Sequence, residues 1–402
     1  MNKKNILPLF LLFVCNSCIP TLRNLVGNQV IDRNYNPLPQ SLPFYTEVPY
    51  QIEDGFITIK AKMNNIGKDY NFIFDTGATT MVSDSVAKEL KLEYGEILVL
   101  KDANGSNVNG MTYITNLSIR ELDVKNIRVN SSALDIFEKK CNHKFDGIIG
   151  ANVLKQGYYY FDVATRKLII TNQKDKIPLI KLQNAVPLKR KMGQPYIYMK
   201  GNRNEWLLFD SGYANGNIMI NNKSKLIKHH QKPIKQIYYP LKAMVSEEIK
   251  LGSFFNQKIQ LGNFTSIMQI VKYEKGSNNL IGNQLIQNND VIIDVLNNKF
   301  YITPFQKQTA NESISNINFA YKNNAIVVSK LTKNSSLQKM GININDTIVS
   351  INNKSLEGIK TACDFDQFTS QMGINKQNDI KIEIKKNNKI EKYSISQKQL
   401  YE

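Results

Sequence analysis

Short runs of alternating apolar and polar residues, each closed by a turn signal, fill the chain from about residue 45 to residue 305. Phe56-Ile57-Thr58-Ile59 and Asn71-Phe72-Ile73-Phe74 read as two strands separated by the turn-forming Asn64-Asn65-Ile66-Gly67. The second strand is apolar on both faces, as a strand inside a sheet must be. The same plan returns when Tyr196-Ile197-Tyr198-Met199 leads through Gly201-Asn202-Arg203-Asn204 into Trp206-Leu207-Leu208-Phe209. Ser83-Asp84-Ser85 predicts the cap of a short helix over Val86–Leu92. Ile97-Leu98-Val99-Leu100 runs into Ala103-Asn104-Gly105, and an Asn-Gly pair beside an alternating strand predicts a hairpin. The corresponding later stretch, near Tyr239–Glu247, lacks a glycine turn, so its hairpin is expected to be degraded.

The pattern changes at both ends. Lys3 and Lys4 precede an apolar run, Ile6–Cys15, that is too short to cross a bilayer, and Ser17 then precedes Cys18. This resembles a bacterial lipoprotein signal cut before Cys18, which implies lipidation of Cys18 and a mature chain anchored at the cell envelope; a plain secretory signal is the alternative. Residues 19–44, rich in Asn, Pro and Leu, read as a tether and an entry strand. Pro178 to Pro187 reads as a link and Gln306–Glu312 as a polar linker.

The turn-bounded strands belong to a repeat. Phe74-Asp75-Thr76-Gly77 returns as Phe209-Asp210-Ser211-Gly212. Ile148-Ile149-Gly150 follows the first and Leu280-Ile281-Gly282 the second. Beyond these stand Asp162 with Lys167, and Asp294 with Lys299, opening Leu168-Ile169-Ile170 and Phe300-Tyr301-Ile302. A unit of roughly 130 residues is therefore present twice. The paired motifs resemble the pepsin- and retropepsin-like aspartic proteases. That resemblance implies a mainly β, two-lobed fold, with lobe one over residues 45–177 and lobe two over residues 178–305, and an Asp75/Asp210 dyad as the catalytic pair. Two carboxyls about 3 Å apart cannot both ionise, so they share a proton, one acting as base to a water and the other as acid to a carbonyl. Gly77 and Gly212 let the two loops approach without Cβ clashes. By resemblance, the hydroxyls of Thr76 and Ser211 cross the interface and hold the dyad, and Ala103, Asn104 and Gly105 form the tip of a substrate-binding flap.

Residues 313–402 carry another pattern. Ala325-Ile326-Val327-Val328 predicts a strand and Ser335–Met340 a short helix. The stretch from Gly341 through Asp346 to Ile351-Asn352 resembles a PDZ domain, in which a glycine turn and an Asp introduce a strand ending in Ile-Asn. Asn345 and Asn353 stand where many such domains have glycine, and asparagine tolerates the same left-handed turns. The family's carboxylate-binding loop falls near Ile314–Phe319, where its usual glycines are absent. The resemblance implies a PDZ-like β domain with a C-terminal peptide segment as its partner. It is expected to recruit or regulate, leaving a chain that ends near Thr309 able to cut short peptides.

Composition narrows the remaining choices. The 402 residues contain 42% apolar residues with 21 Gly and 12 Pro, which excludes a disordered or fibrous class. The net charge of +18 does not imply nucleic acid, because the lysines are spread along the chain. Their densest run, Lys223 to Lys235 with His229 and His230, reads as a solvated face, or else as a patch for an anionic membrane or an acidic substrate. There is no Gly-x-Ser-x-Gly elbow, phosphate-binding glycine loop or His-Glu-x-x-His, and Cys141 and His143 have no second pair. No metal or cofactor is expected. Outside the leader only Cys18, Cys141 and Cys363 remain, so a disulfide framework is not expected. These features together predict an envelope-associated aspartic endopeptidase acting on peptides or proteins; the alternative is a catalytically inactive peptide-binding module on the same fold.

Overall fold

The computed structural model describes residues 42–93, 97–101, 106–132, 143–155, 157–214, 216–242, 247–274, 278–304, 315–373, 379–387, 389–396 and 399. The leader, Cys18, the tether before residue 42, the Ala103-Asn104-Gly105 tip, Cys141 and the polar linker lie outside these residues.

Ten strands carry the first lobe among the described residues: β1 (Tyr45–Glu53), β2 (Phe56–Met63), β3 (Tyr70–Asp75), β4 (Met81–Ser83), β5 (Ile97–Lys101), β6 (Asn107–Ile119), β7 (Leu122–Ser132), β8 (Gly147–Gly150), β9 (Tyr158–Asp162) and β10 (Lys167–Thr171). Ten more follow in the second: β11 (Ala185–Lys191), β12 (Gln194–Met199), β13 (Glu205–Phe209), β14 (Ile218–Asn221), β15 (Lys235–Lys242), β16 (Glu247–Leu261), β17 (Phe264–Tyr273), β18 (Leu280–Ile281), β19 (Asn289–Asp294) and β20 (Lys299–Pro304). Their pairings repeat strand for strand. β8 lies parallel to β3 and antiparallel to β4, and β18 lies parallel to β13 and antiparallel to β14. β4 and β14 run parallel to β7 and β17. β5–β6–β7 and β15–β16–β17 are antiparallel meanders.

The lobes meet in one antiparallel sheet, ordered β1-β10-β9-β19-β20-β11. Here the repeated Asp and Lys acquire a physical reason. Asp162 and Asp294 stand opposite Lys167 and Lys299 across two equivalent hairpins. Each Asp accepts from a turn amide, that of Thr165 at 3.2 Å and that of Asn297 at 2.9 Å. One large apolar cluster runs through both lobes. Phe74 packs edge-on against Phe161 of β9 at 5.6 Å, and Phe209 against Phe300 of β20 at 5.0 Å.

Two expectations change. Helix α1 spans Asp84–Glu89 rather than Val86–Leu92, with Ser83 as its N-cap accepting from Val86 N–H at 3.2 Å. Lys91, at φ 49°, is left-handed and stops the helix. The second-lobe hairpin is intact, paired from Lys235↔Phe254 to Lys242↔Glu247, because its long strands rather than a turn motif set the register. A short helix α2 (Gln284–Asn288) follows Gly282, where lobe one has only a 3₁₀ turn at Ala151–Val153.

The C-terminal unit has its own apolar cluster, including Val328, Leu337, Ile351, Ile384 and Ile395. It consists of β21 (Ile317–Lys322), β22 (Ala325–Thr332), β23 (Thr347–Ile351), β24 (Lys354–Ser355), β25 (Asp379–Lys386) and β26 (Lys389–Ser396), with helices α3 (Ser336–Lys339) and α4 (Ala362–Met372). Asn345 and Asn353 are left-handed, at φ 67° and 61°. Helix α4 begins with a capping box between Thr361 and Asp364 that the apolar pattern did not disclose. Cys363 in its first turn is disulfide-bonded, its partner lying outside the described residues, against the expectation from cysteine spacing.

Candidate active site

Asp75 is the last residue of β3 and Asp210 directly follows β13, so each closes the strand that lies beside β8 or β18. Asp75 sits in register with Gly150, and Asp210 N–H donates to Ile281 O at 2.9 Å. In each loop one carboxylate oxygen is caught by two backbone amides. Gly77 and Ala78 donate to Asp75 Oδ1 at 2.7 and 3.1 Å; Gly212 and Tyr213 donate to Asp210 Oδ1 at 3.0 and 3.2 Å. The two carboxyls are hydrogen-bonded to each other and keep only part of their surface accessible.

The glycines are where the loops touch. A Cβ on Gly77 would lie 2.5 Å from Asp210 Cγ, and one on Gly212 would fall inside the Asp75 carboxyl. The hydroxyls lock the same interface symmetrically. Thr76 Oγ1 donates to Phe209 O and accepts from Ser211 N–H at 3.0 Å. Ser211 Oγ donates to Phe74 O at 2.7 Å and accepts from Thr76 N–H at 2.9 Å. Both side chains are fully buried, and each hydroxyl is satisfied as donor and as acceptor.

Burial raises the Asp75 pKa, opposed by the amides that grip it. Burial raises that of Asp210 well above the carboxylate range, reinforced by the negative charge of Asp75. A pair in which one member is held protonated while the other ionises supplies a proton donor and a base a hydrogen bond apart.

Four further side chains hold the loops and were not singled out from sequence. Gln194, at the start of β12, donates across the lobes to Gly77 O. Asn283, fully buried after Gly282, donates to Gly55 O of the β1–β2 turn at 2.7 Å. Asn152, two residues after Gly150, accepts from Thr80 N–H at 2.9 Å and from Thr80 Oγ1 at 2.7 Å. Tyr213, where lobe one has Ala78, adds a ring beside Asp210, and its phenol is pushed up to about 12 by burial and by the Asp210 charge. The Asn at Gly150+2 and Gly282+1 was the one available sequence signal. Of the expected site residues, Asp75, Thr76, Gly77, Asp210, Ser211 and Gly212 converge, whereas Ala103, Asn104, Gly105 and Cys18 lie outside the described residues. No metal-binding cluster occurs among the described residues; His143 lies 3.5 Å from Glu53.

Residues 59–153 match the aspartyl protease family, so the chain carries an aspartic protease-like domain. The crystal structure of Basic 7S globulin from soybean is similar over 65% of this chain and 95% of that one, at 8% identity and a TM-score of 0.39. A comparison with curated proteins finds no match.

Proposed function

We propose that this protein is an aspartic endopeptidase in which the Asp75/Asp210 dyad activates a water for attack on a peptide carbonyl. The observation that carries this reading is the reciprocal locking, by Thr76 and Ser211, of the two loops that bring the Asp75 and Asp210 carboxyls together. The ionised member takes a proton from the water as it attacks. The protonated member donates to the carbonyl oxygen, then a proton passes to the leaving amine, and the dyad returns to its singly protonated state. Because the pair titrates as a unit, the roles belong to the dyad rather than to either residue. The β5–β6 ribbon, which extends beyond the β7 pairing, supplies a flap over bound peptide.

The C-terminal unit is proposed as PDZ-like. Among the described residues β21 pairs only with β22, leaving an edge that an extended C-terminal segment could join. Export and lipid anchoring at Cys18 rest on the leader sequence. The inactive binding-module reading is weaker, since retaining two adjacent, partly desolvated carboxyls costs stability that a binding cleft does not require. Cleavage-site profiling on a complex peptide pool separates the two. Wild type should cut, and Asp75→Asn should lose on the order of 10²–10⁴-fold in rate. Equal activity, or equal silence, of the two proteins would discard the peptidase reading.

A further inference from the structure

One contact breaks the strand-for-strand symmetry of the lobes. On one edge β22 runs beside β21; on the other, Ile326 and Val327 pair with β23, while Leu331 and Thr332 pair with Tyr238 and Ile237 of β15. Lys333 N–H extends this ladder to Gln236 O at 2.8 Å. Lys322 Nζ lies 2.7 Å from the Glu247 carboxylate, where β16 begins. Ile237 and Leu331 are fully buried and belong to the apolar clusters of lobe two and of the C-terminal unit, so the two cores abut at this strand pair.

The position of this pairing matters because of what β15 lacks. β16 pairs with β17 only from Ser253 onward, so Tyr238–Lys242 and Glu247–Leu251 form a two-stranded ribbon beyond the meander. A two-stranded ribbon is marginal unless a third strand or a packed face supports it. In lobe one the matching β5 pairs only with β6 among the described residues. In lobe two β22 supplies a third strand at the base of the ribbon, where Leu331 pairs with Tyr238, and Lys322 reaches Glu247 at its far end. The contact continues inward, for Tyr239 packs against Tyr273 at 5.8 Å and Phe254 at 6.3 Å, in the same apolar cluster as Tyr213. The Tyr213 amide holds Asp210.

We infer that the C-terminal unit is a positioning element of the active cleft: by adding β22 to β15 it clamps the base of the lobe-two ribbon, whose Tyr239 shares an apolar cluster with Tyr213 next to Asp210. This builds on the peptidase reading and reverses the expectation that the unit is dispensable for short substrates. The clamp sets how the lobe-two side grips the peptide backbone, so its loss falls on KM and on cleavage-site preference before it falls on the dyad.

The test uses the full chain with two kinds of variant. Lys333→Pro removes the amide that bonds Gln236 O, and Glu247→Lys breaks the ion pair that the double variant Glu247→Lys/Lys322→Glu restores in reverse. Amide hydrogen exchange over Lys235–Lys242 is measured beside kinetics on short fluorogenic peptides drawn from those the wild type cuts. Lys333→Pro should speed exchange in β15 without altering β5, and raise KM roughly tenfold, the equivalent of one lost hydrogen bond. Glu247→Lys should lower kcat/KM about two- to fivefold, with recovery in the double variant. Unchanged β15 exchange in these variants, or faster exchange with unaltered KM and cleavage pattern, overturns the clamp. If Lys333→Pro does not fold, absence of recovery in the charge-swapped chain overturns it instead. If wild type and Asp75→Asn are equally inert, the peptidase reading fails while the exchange data still decide the clamp.

Discussion

At the interface of the two loops, Thr76 and Ser211 each serve two backbone groups of the opposite strand end. Thr76→Ala leaves Phe209 O and Ser211 N–H without partners in a buried site, a cost of about 2–4 kcal/mol. Thr76→Ser keeps both bonds and should stay near wild-type stability; chemical denaturation of the two variants measures the difference. The dyad itself works against folding at neutral pH. Both native carboxyl pKa values are raised, so the folded chain retains protons that the unfolded chain releases. Stability therefore falls as pH rises from the unfolded carboxylate value of about 3.9 through the raised native values. Asp210→Asn should accordingly melt higher than wild type at pH 7, with the gain disappearing near about pH 3. An equal gain at both pH values would show that charge burial is not its cause. Asp75, Asp210 and their hydroxyl and glycine neighbours were legible in the sequence because the chemistry fixes residue type at each position. Gln194 and Asn283 were not, because each acts on a backbone carbonyl 117 or 228 residues away, and any amide-bearing residue reads alike in one dimension.

Among the elements, the tight loops after β3 and β13 depend on the absence of a side chain at one position each. Gly212→Ala would drive a methyl into the Asp75 carboxyl, and that carboxyl, held by the Gly77 and Ala78 amides, would have to leave its place. The expected outcome is loss of cleavage on the order of 10²-fold or more, since catalytic geometry tolerates little displacement. The far-ultraviolet spectrum should keep its β character; retained turnover in a folded Gly212→Ala protein would count against the loop geometry. Strands were the most legible elements, because alternation and double-sided apolar runs report burial directly. Helix α4 was not, for its eleven residues bury only Phe365 and its start is announced by the Thr361–Asp364 capping box alone. The second-lobe hairpin was underrated for the opposite reason: the signal sought was a glycine turn, and the pairing is carried by long strands instead.

The molecule as a whole is joined by the sheet from β1 to β11, and Asp290 on β19 shows how firmly. It is almost fully buried, accepts from Val163 N–H of lobe one at 3.0 Å and is ion-paired to Lys181 in the link between lobes. Replacing it by Ala strands both partners, costing about 2–4 kcal/mol with Lys181 still partly hydrated. Because Asp290 ties lobe to lobe, calorimetry of Asp290→Ala should show a lower Tm with both lobes still melting in one transition. Separate melting of the two lobes would mean that the shared sheet does not couple them.

The duplication, the paired aspartates and the strand plan of each half were written in residue order, since strand periodicity, turn chemistry and the Asp-Thr/Ser-Gly loops are properties of a few neighbouring residues. The symmetric crossing of Thr76 and Ser211 was implied by resemblance, while its hydrogen bonds belong to the folded chain. The pairing of β22 with β15 left no trace in the sequence. It joins Leu331 and Thr332 to Tyr238 and Ile237 through backbone groups, and backbone amides and carbonyls are the same in every residue but proline. Which strand edge meets which is fixed only when the cores of lobe two and the C-terminal unit pack side by side, with Ile237 and Leu331 buried on either side of the seam.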